Sequence, residues 1–409
     1  MRNLTKYPPV VIAGLNDASM SIVRSLGQKG IRIIGLYDDN THSYYQSSKY
    51  ISQKLKSALW GQALVDTLIH RVSRSMKEQP VLFCTNDNAV LTVSQYAEEL
   101  KPFFKFVLPP YDVVFNQISK RGFSTFALEN SFLIPKTVFL DASSDIESSI
   151  QDISFPCIVK PEFRDQKWNE AIRLKVLYAE SKKDLSNLIN KYQLKNFSLV
   201  IQEWIEGGDS EVYFCLAYMN RDKKPLALCT GRKLRQYPHL TGSTSVAETV
   251  AIPEIADESV RLLTAAGYVG FCSVEFKRSK IDGKYYITEP TVGRPDTQEG
   301  ICTGSGVDIP YIAYLDALGQ KVGPVGGIKT GVKWINEPLE FYCLQKTVWN
   351  RMNFKGFISP HKGFRSYALW DRDDPMPAWV FLKGKAKRGM SRLFKITLEK
   401  TSSRLPEKI

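Results

Sequence analysis

Two glutamates, Glu275 in FCSVEFKR and Glu289 in KYYITEPTVGRPD, lie in consecutive apolar stretches of the chain. The residues between them, KIDGK, hold an Asp-Gly pair, which is a hairpin turn signal. The two carboxylates are therefore expected to face each other across an antiparallel ladder. Carboxylates held that close raise each other's pKa unless positive charge lies between them, and a divalent cation commonly supplies it. Mg²⁺ takes one or two carboxylates plus substrate phosphates, so the pair reads as half of a nucleotide site. The competing reading is two solvated strand carboxylates.

Lys160 tilts the balance. It ends the apolar run of FPCIVKP, where an ammonium suits a core poorly and a triphosphate well, as a compact point charge. Further on, SLVIQEWIEGGDSEVYF offers a strand, acidic groups, a Gly-Gly break and another strand, the pattern of a chain wrapping an adenine and ribose at a hinge. Strand-Lys-Pro, strand-Gln-Glu-hinge, strand-Glu and strand-Glu-Pro, in that order, resemble the ATP-grasp superfamily of carboxylate-amine ligases. The resemblance spans about residues 8–325. It implies an α/β protein with an ATP-grasp fold, an N-terminal parallel-sheet domain and a C-terminal extension. The expected divisions are residues 1–110, 111–205, 206–325 and 326–409.

Residue roles follow from the resemblance, position by position. Lys120, beside the apolar stripe of a helix in YDVVFNQISKRGFSTFALEN, matches a lysine that contacts nucleotide phosphates. Gln202, Glu203, Trp204 and Ile205 match the hinge that lines adenine, with backbone groups of Glu203 and Ile205 reading its edge. Asp209 or Glu211 would take the ribose hydroxyls. They lie two apart on a strand and point the same way, so the choice stays open, the family pattern leaning to Glu211. Arg232, Lys233 and Arg235 form a cationic patch where relatives place a basic residue against the triphosphate, with a solvated charged loop as the competitor. Arg294 would clamp the reacting carboxylate bidentately. Asp296 and Gln298 become candidates for the amine, since a carboxylate attracts an ammonium and an amide can donate or accept.

Two stretches depart from the pattern. A glycine-rich loop commonly follows the strand lysine, because bare amides cradle phosphates; here EFRDQKWN stands instead, and Arg164, Lys167 and Lys175 would supply charge in a lid. Relatives follow the second metal glutamate with Asn-Pro-Arg, whereas this chain has EPTVGRPDTQ, placing Thr291 where asparagine would help hold magnesium. The GRPDTQEG variant and the later WDRDDPMP look like a branch associated with bacterial cell-surface polysaccharides.

Composition bounds the answer. The chain has 409 residues, 43% hydrophobic and 24% charged, which is ordinary for two or three folded domains. It has no apolar run long enough to span a membrane, and the first apolar run, PPVVIAG, reads as a strand and not a signal peptide. Seven scattered cysteines with no CxxC, and only four histidines, argue against a disulfide framework or a zinc site and for buried thiols in a reducing cytoplasm. The net charge of +13 is concentrated in residues 383–409, which hold nine Lys/Arg and two Glu. Mixed with Trp379, Phe381, Leu393 and Phe394, that tail has the composition of an interfacial helix able to touch an anionic membrane; the competitor is a solvated terminal helix. No nucleic-acid motif accompanies it.

Residues 8–110 alternate VVIAG, a helix from Ser19 to Lys29 carrying Met20, Val23 and Leu26, then IRIIGLYD, VLFCTND and KFVLPP, so a parallel sheet with crossover helices is expected. The first turn lacks GxGxxG, which removes the dinucleotide fingerprint. Asn86 and Asp87 lie at a strand end, where open sheets bind ligands, with a plain strand-end turn as the favoured reading. Trp334, Trp349, Trp370 and Trp379 mark the C-terminal extension as core aromatics or a sugar-stacking face.

The resemblance implies ATP and Mg²⁺ as cofactors and an ATP-dependent ligase that phosphorylates a carboxylate and passes the acyl group to an amine, releasing ADP and phosphate. The expected partners are a small-molecule carboxylate and amine, with a uronic acid of a surface polysaccharide or its precursor as one candidate and a glycan or lipid-linked glycan as acceptor. A cytoplasmic homodimer, peripheral at the inner face of the membrane, completes the expectation. The alternatives are an amino-acid ligase of the dipeptide or D-aspartate type, a nucleotide sensor without turnover, and a scaffold acting through its basic tail.

Overall fold

The computed structural model describes residues 7–141, 150–151, 153–162, 166–172, 176–349, 357–361 and 363–387. Lys175, Arg164 and residues 388–409 lie outside them, as does the side chain of Lys167.

Strands β1 (Val10–Ala13), β2 (Ile33–Tyr37), β3 (Ile51–Lys56) and β4 (Val81–Cys84) form a parallel sheet in the order β3-β2-β1-β4. The unbroken apolar run of β1 is buried throughout, as a strand covered on both faces requires. The helix Asp17–Gln28 crosses from β1 to β2 and buries Met20, Val23 and Leu26. Asn16 caps it reciprocally with Ser19. KFVLPP is not a strand: it makes one parallel bridge, Val81↔Lys105, before Pro109 and Pro110, which have no N–H to continue a ladder. The sheet's missing strand is instead β3, an edge strand whose polar sequence ISQKLK hides it.

The helix expected across residues 111–129 is two helices, Tyr111–Ile118 and Lys120–Glu129, broken at extended Ser119. Ser119 caps the second helix by accepting from Gly122 N–H at 3.2 Å, which sets Lys120 in its first turn. Then β5 (Thr137–Leu140), β6 (Cys157–Pro161), β7 (Leu177–Ala179) and β8 (Leu199–Glu203) form an antiparallel sheet in the order β5-β8-β6-β7. Its residues pack into a core of their own around Trp168, Leu185 and Ile201.

The large sheet holds β9 (Val212–Met219), β10 (Pro225–Tyr237), β11 (Ser243–Thr249), β12 (Gly270–Arg278), β13 (Tyr285–Val292), β14 (Lys333–Ile335) and β15 (Arg365–Tyr367) in the order β13-β12-β9-β10-β11-β14-β15. β14 and β15 come from the C-terminal extension, so that extension completes the sheet. One apolar core joins the parallel sheet, the large sheet and the extension through residues such as Ile22, Tyr314, Trp334 and Phe381. All seven cysteines are buried, and no disulfide joins them among the described residues.

Candidate functional site

Between the small sheet and the large one lies a cleft of about 370 Å³. On the large-sheet side, Glu275 of β12 stands directly opposite Glu289 of β13, the pairing the hairpin signal implies. The register slips by one residue beside that pair, which turns Thr288 toward Glu275 as well, its hydroxyl 3.3 Å from Oε1. Lys233, from β10, puts Nζ 2.5 Å from Glu275 Oε2 and 3.2 Å from Gln236 Oε1. The positive charge beside Glu275 is thus an ammonium. Glu289 is exposed and has no hydrogen bond or ion pair among the described residues. Thr291 follows two residues on and also lines the cleft.

The facing wall carries Lys160 in β6 and Lys120 at its helix start. Lys160 Nζ lies 3.2 Å from Gln202 Oε1, and Lys120 Nζ donates to the Glu162 carbonyl at 2.9 Å. Gln202, Glu203, Trp204 and Ile205 line the hinge end. The Glu203 and Trp204 amides donate to the Lys136 and Pro156 carbonyls, while the Ile205 amide has no hydrogen bond among the described residues. That leaves one backbone donor for an adenine edge.

Arg294 enters at the other end. Gly293 has φ +73°, and a Cβ there would lie 2.3 Å from Val90 Cγ1, so only glycine lets the chain pass so close to the helix Asp87–Gln95. That passage brings Arg294 Nε to 2.5 Å from Asp87 Oδ1. The strand-end Asp87 therefore acts at the site through Arg294. Asp296 and Gln298 line the cleft but bond to one another, Gln298 Nε2 donating to Asp296 Oδ2 at 3.0 Å, and Ser273 Oγ donates to the same oxygen.

Three candidates sit elsewhere. Asp209 is buried and accepts from Gln236 N–H, Gln236 Nε2 and Leu240 N–H, with His239 Nδ1 at 3.0 Å, so it pins the β10–β11 turn and has no oxygen left for a ribose. Glu211 faces Arg278 at 4.0 Å and packs under Gly207. Neither lines the cleft. Arg235 leaves it altogether: it pairs with Glu340 at 2.5 Å, donates to the Phe357 carbonyl and stacks on the Phe357 ring.

Lys277 was not anticipated. It shares a strand face with Glu275, two residues away, and lines the cleft, with Nζ 2.7 and 2.8 Å from the Gly207 and Gly208 carbonyls and 5.6 Å from the centre of the Trp204 ring. Burial pushes its ammonium down to about 8. The signal was present in FCSVEFKR, where Ser273, Glu275 and Lys277 alternate on one face.

The donor set fits Mg²⁺. Two carboxylates and hydroxyls on one wall leave other positions to phosphate oxygens and water, as this ion prefers, and among the described residues no group of three or more His, Cys, Asp or Glu offers a closed cage.

No protein-family model matches the chain. It is similar to a D-aspartate ligase of Enterococcus faecium (strain Aus0004), 22% identical over 396 residues, covering 91% of this chain and 93% of that protein. Among solved structures, an L-amino acid ligase from Bacillus licheniformis superposes with a TM-score of 0.59 at 15% identity, covering 77% of this chain and 75% of the other. An N5-carboxyaminoimidazole synthetase from Staphylococcus aureus, complexed with ADP, gives 0.62 at 12% identity, with 80% and 81% covered. The fold is the ATP-grasp fold, an α/β architecture shared with these ligases.

Proposed function

We propose that the chain is an ATP-dependent carboxylate-amine ligase acting through an acyl phosphate. The observation that carries this reading is the facing Glu275–Glu289 pair, with Lys233 beside it and Lys120 and Lys160 on the opposite wall of one cleft. A transferring phosphoryl group needs positioning and charge neutralisation more than a protein nucleophile.

The three lysines hold the nucleotide phosphates, and the hinge from Gln202 to Ile205 holds the adenine. Glu275, Glu289 and Thr291 would hold Mg²⁺, which when bound screens phosphate charge. Arg294, steadied by Asp87, holds the substrate carboxylate in line with the terminal phosphate. An oxygen of that carboxylate attacks phosphorus and ADP leaves. The amine, as its free base, then attacks the acyl carbon; phosphate leaves and takes up the proton the nitrogen sheds, and the amide forms.

Of the two readings of the carboxylate, an amino acid is favoured by the similarity to a D-aspartate ligase over nearly the full length of both chains. A uronic acid of a surface polysaccharide rests on GRPDTQEG and WDRDDPMP alone. Peripheral contact with an anionic membrane has one added support: the helix 376–387 buries Ala378 and Phe381 while exposing Met376, Trp379 and Leu382 beside Lys383 and Lys387.

The test is release of ADP and phosphate from Mg²⁺ATP by the purified protein, across D- and L-amino acids and uronic acids crossed with amines. Release that needs both substrates and yields an amide mass is the expected result. AMP and pyrophosphate as products would exclude the acyl phosphate.

A further inference from the structure

Beyond Thr297 lies a second cavity of about 380 Å³, and Thr297 lines both it and the nucleotide cleft. Its walls come from the helix Asp17–Gln28, the chain around Gly300, and residues 364–372 of the extension. Its volume falls within the range of small-molecule sites.

The extension's wall is held in place from the N-terminal layer. Arg24 donates to the Tyr367 and Ala368 carbonyls at 3.0 and 3.1 Å and to that of Leu369. Glu337 accepts from the Leu369 and Trp370 amides at 2.9 and 2.6 Å. Asp374, fully buried, accepts from Lys49 N–H at 2.9 Å. WDRDDPMP is thereby a buckle that presents Trp370 and Arg372 to the cavity.

The cavity's lining carries both carboxylate and guanidinium groups. Toward the cleft, Asp17 lines the cavity together with Thr297, its Oδ1 accepting from the Ala18 amide at 3.0 Å. Arg294, at that end of the adjoining cleft, pairs with Asp87. Burial pushes the Asp17 carboxyl up, while the Ala18 amide and the Arg294 charge draw it down. At the outer end Arg365 and Arg372 are exposed, and neither has a carboxylate partner among the described residues. The Asp371 carboxylate turns into its own loop, accepting from the Asp373 and Asp374 amides. Between the ends Phe364 and Trp370 expose 59% and 45% of their surface.

We infer that this cavity binds the amine substrate, and that this substrate is a primary amine on a ring-bearing body with an anionic group. The ammonium meets Asp17 beside Thr297, the ring lies against Trp370 and Phe364, and the anion meets Arg365 and Arg372, whose planar forks suit a phosphate or carboxylate. The inference rests on the ligase reading, since it assigns the second substrate of that reaction.

Calorimetry on the full chain with Mg²⁺ATP tests it, using three probes: glucosamine 6-phosphate, glucosamine, and N-acetylglucosamine 6-phosphate. The first is expected to bind about tenfold or more tightly than the other two, the scale of one charge-assisted contact. R365E/R372E should bring its affinity down to that of glucosamine, and D17N to that of the N-acetyl compound. W370A should weaken glucosamine 6-phosphate and N-acetylglucosamine 6-phosphate alike. Circular dichroism melts check that the exposed-arginine variant stays folded. Equal binding of all three probes, no binding of glucosamine 6-phosphate by the wild type, or indifference to the substitutions would overturn the assignment. Hydroxylamine trapping separates this from the parent reading: hydroxamate formed by the wild type from ATP and a carboxylate keeps the ligase even if the cavity assignment fails, and none across the carboxylate panel removes the ligase itself.

Discussion

Lys233 and Arg235 stand two residues apart on β10, yet one faces the cleft and the other faces away from it. In a regular strand they would share a face. The register shifts between them: Lys233 lies opposite Ala247, and Arg235 opposite Val246, so Leu234 is an extra residue and the strand turns over. Lys233 reaches Glu275, while Arg235 reaches Glu340 in the C-terminal extension, where Ser245 and His361 also converge. On β12 the alternation holds through Ser273, Glu275 and Lys277, while on β13 an extra residue, Thr288, is what sets Glu289 opposite Glu275. A bulge separates a cation that faces the cleft from one that faces the extension, and nothing in the residue types marks the difference.

That contrast can be broken most directly at its cleft half. K233M and E289Q should each lower kcat by about 10²–10³, the scale for removing one preorganised charge or donor at a reacting phosphoryl group, as read by coupled ADP release. If K233M turned over normally, the ammonium near Glu275 would belong to the fold alone.

R235M should do the reverse. It leaves the buried Glu340 carboxylate without its guanidinium, at a cost of about 2–3 kcal/mol, moderated because His361 and Ser245 stay in contact, and it should leave the KM for ATP near the wild-type value. Urea denaturation beside steady-state kinetics checks both halves. A large rise in the KM for ATP would return Arg235 to the triphosphate.

Gly293→Ala sharpens the positioning of Arg294. The added methyl meets Val90 at a left-handed φ, so a loss of about 1–3 kcal/mol is expected, together with a raised KM for the carboxylate and a smaller change for ATP.

The smallest effect is a pH slope from Lys277. Its folded pKa, about 8, lies below the ordinary value of 10.5, so the native state holds this proton less tightly than the unfolded chain. The penalty for burying the charge is fully present below pH 8 and is relieved as pH rises toward 10.5. Wild-type stability relative to K277M should therefore rise across that window; a flat difference between urea midpoints at its two ends would contradict the shift.

Much of this site was legible. The paired glutamates, Lys160, Lys120 and the hinge all sit where local pattern placed them relative to their strands and helices, and each lines the cleft. The ribose candidates were not legible. Asp209 and Glu211 looked like strand neighbours pointing one way, but they lie in a short 3-10 turn, and Asp209 is consumed by a loop some thirty residues ahead, through Gln236 and Leu240. Polar edge strand β3 was missed because its alternation is carried by Ser, Gln and Lys rather than by apolar residues.

By itself the sequence determined what depends on near neighbours: periodic burial in β1 and the helix Asp17–Gln28, the β12–β13 hairpin, the buried thiols, and the charge of the tail. Those follow from side-chain period, turn chemistry and solvation, which act over a few residues. Only the tertiary structure decided that Arg294 leans on Asp87, that Arg235 serves Glu340, that Asp209 pins a turn, and that the extension closes a second cavity against the helix Asp17–Gln28. Each of these depends on a bulge, a close backbone passage or a contact across hundreds of residues, and such partners are chosen by packing, which no local pattern records.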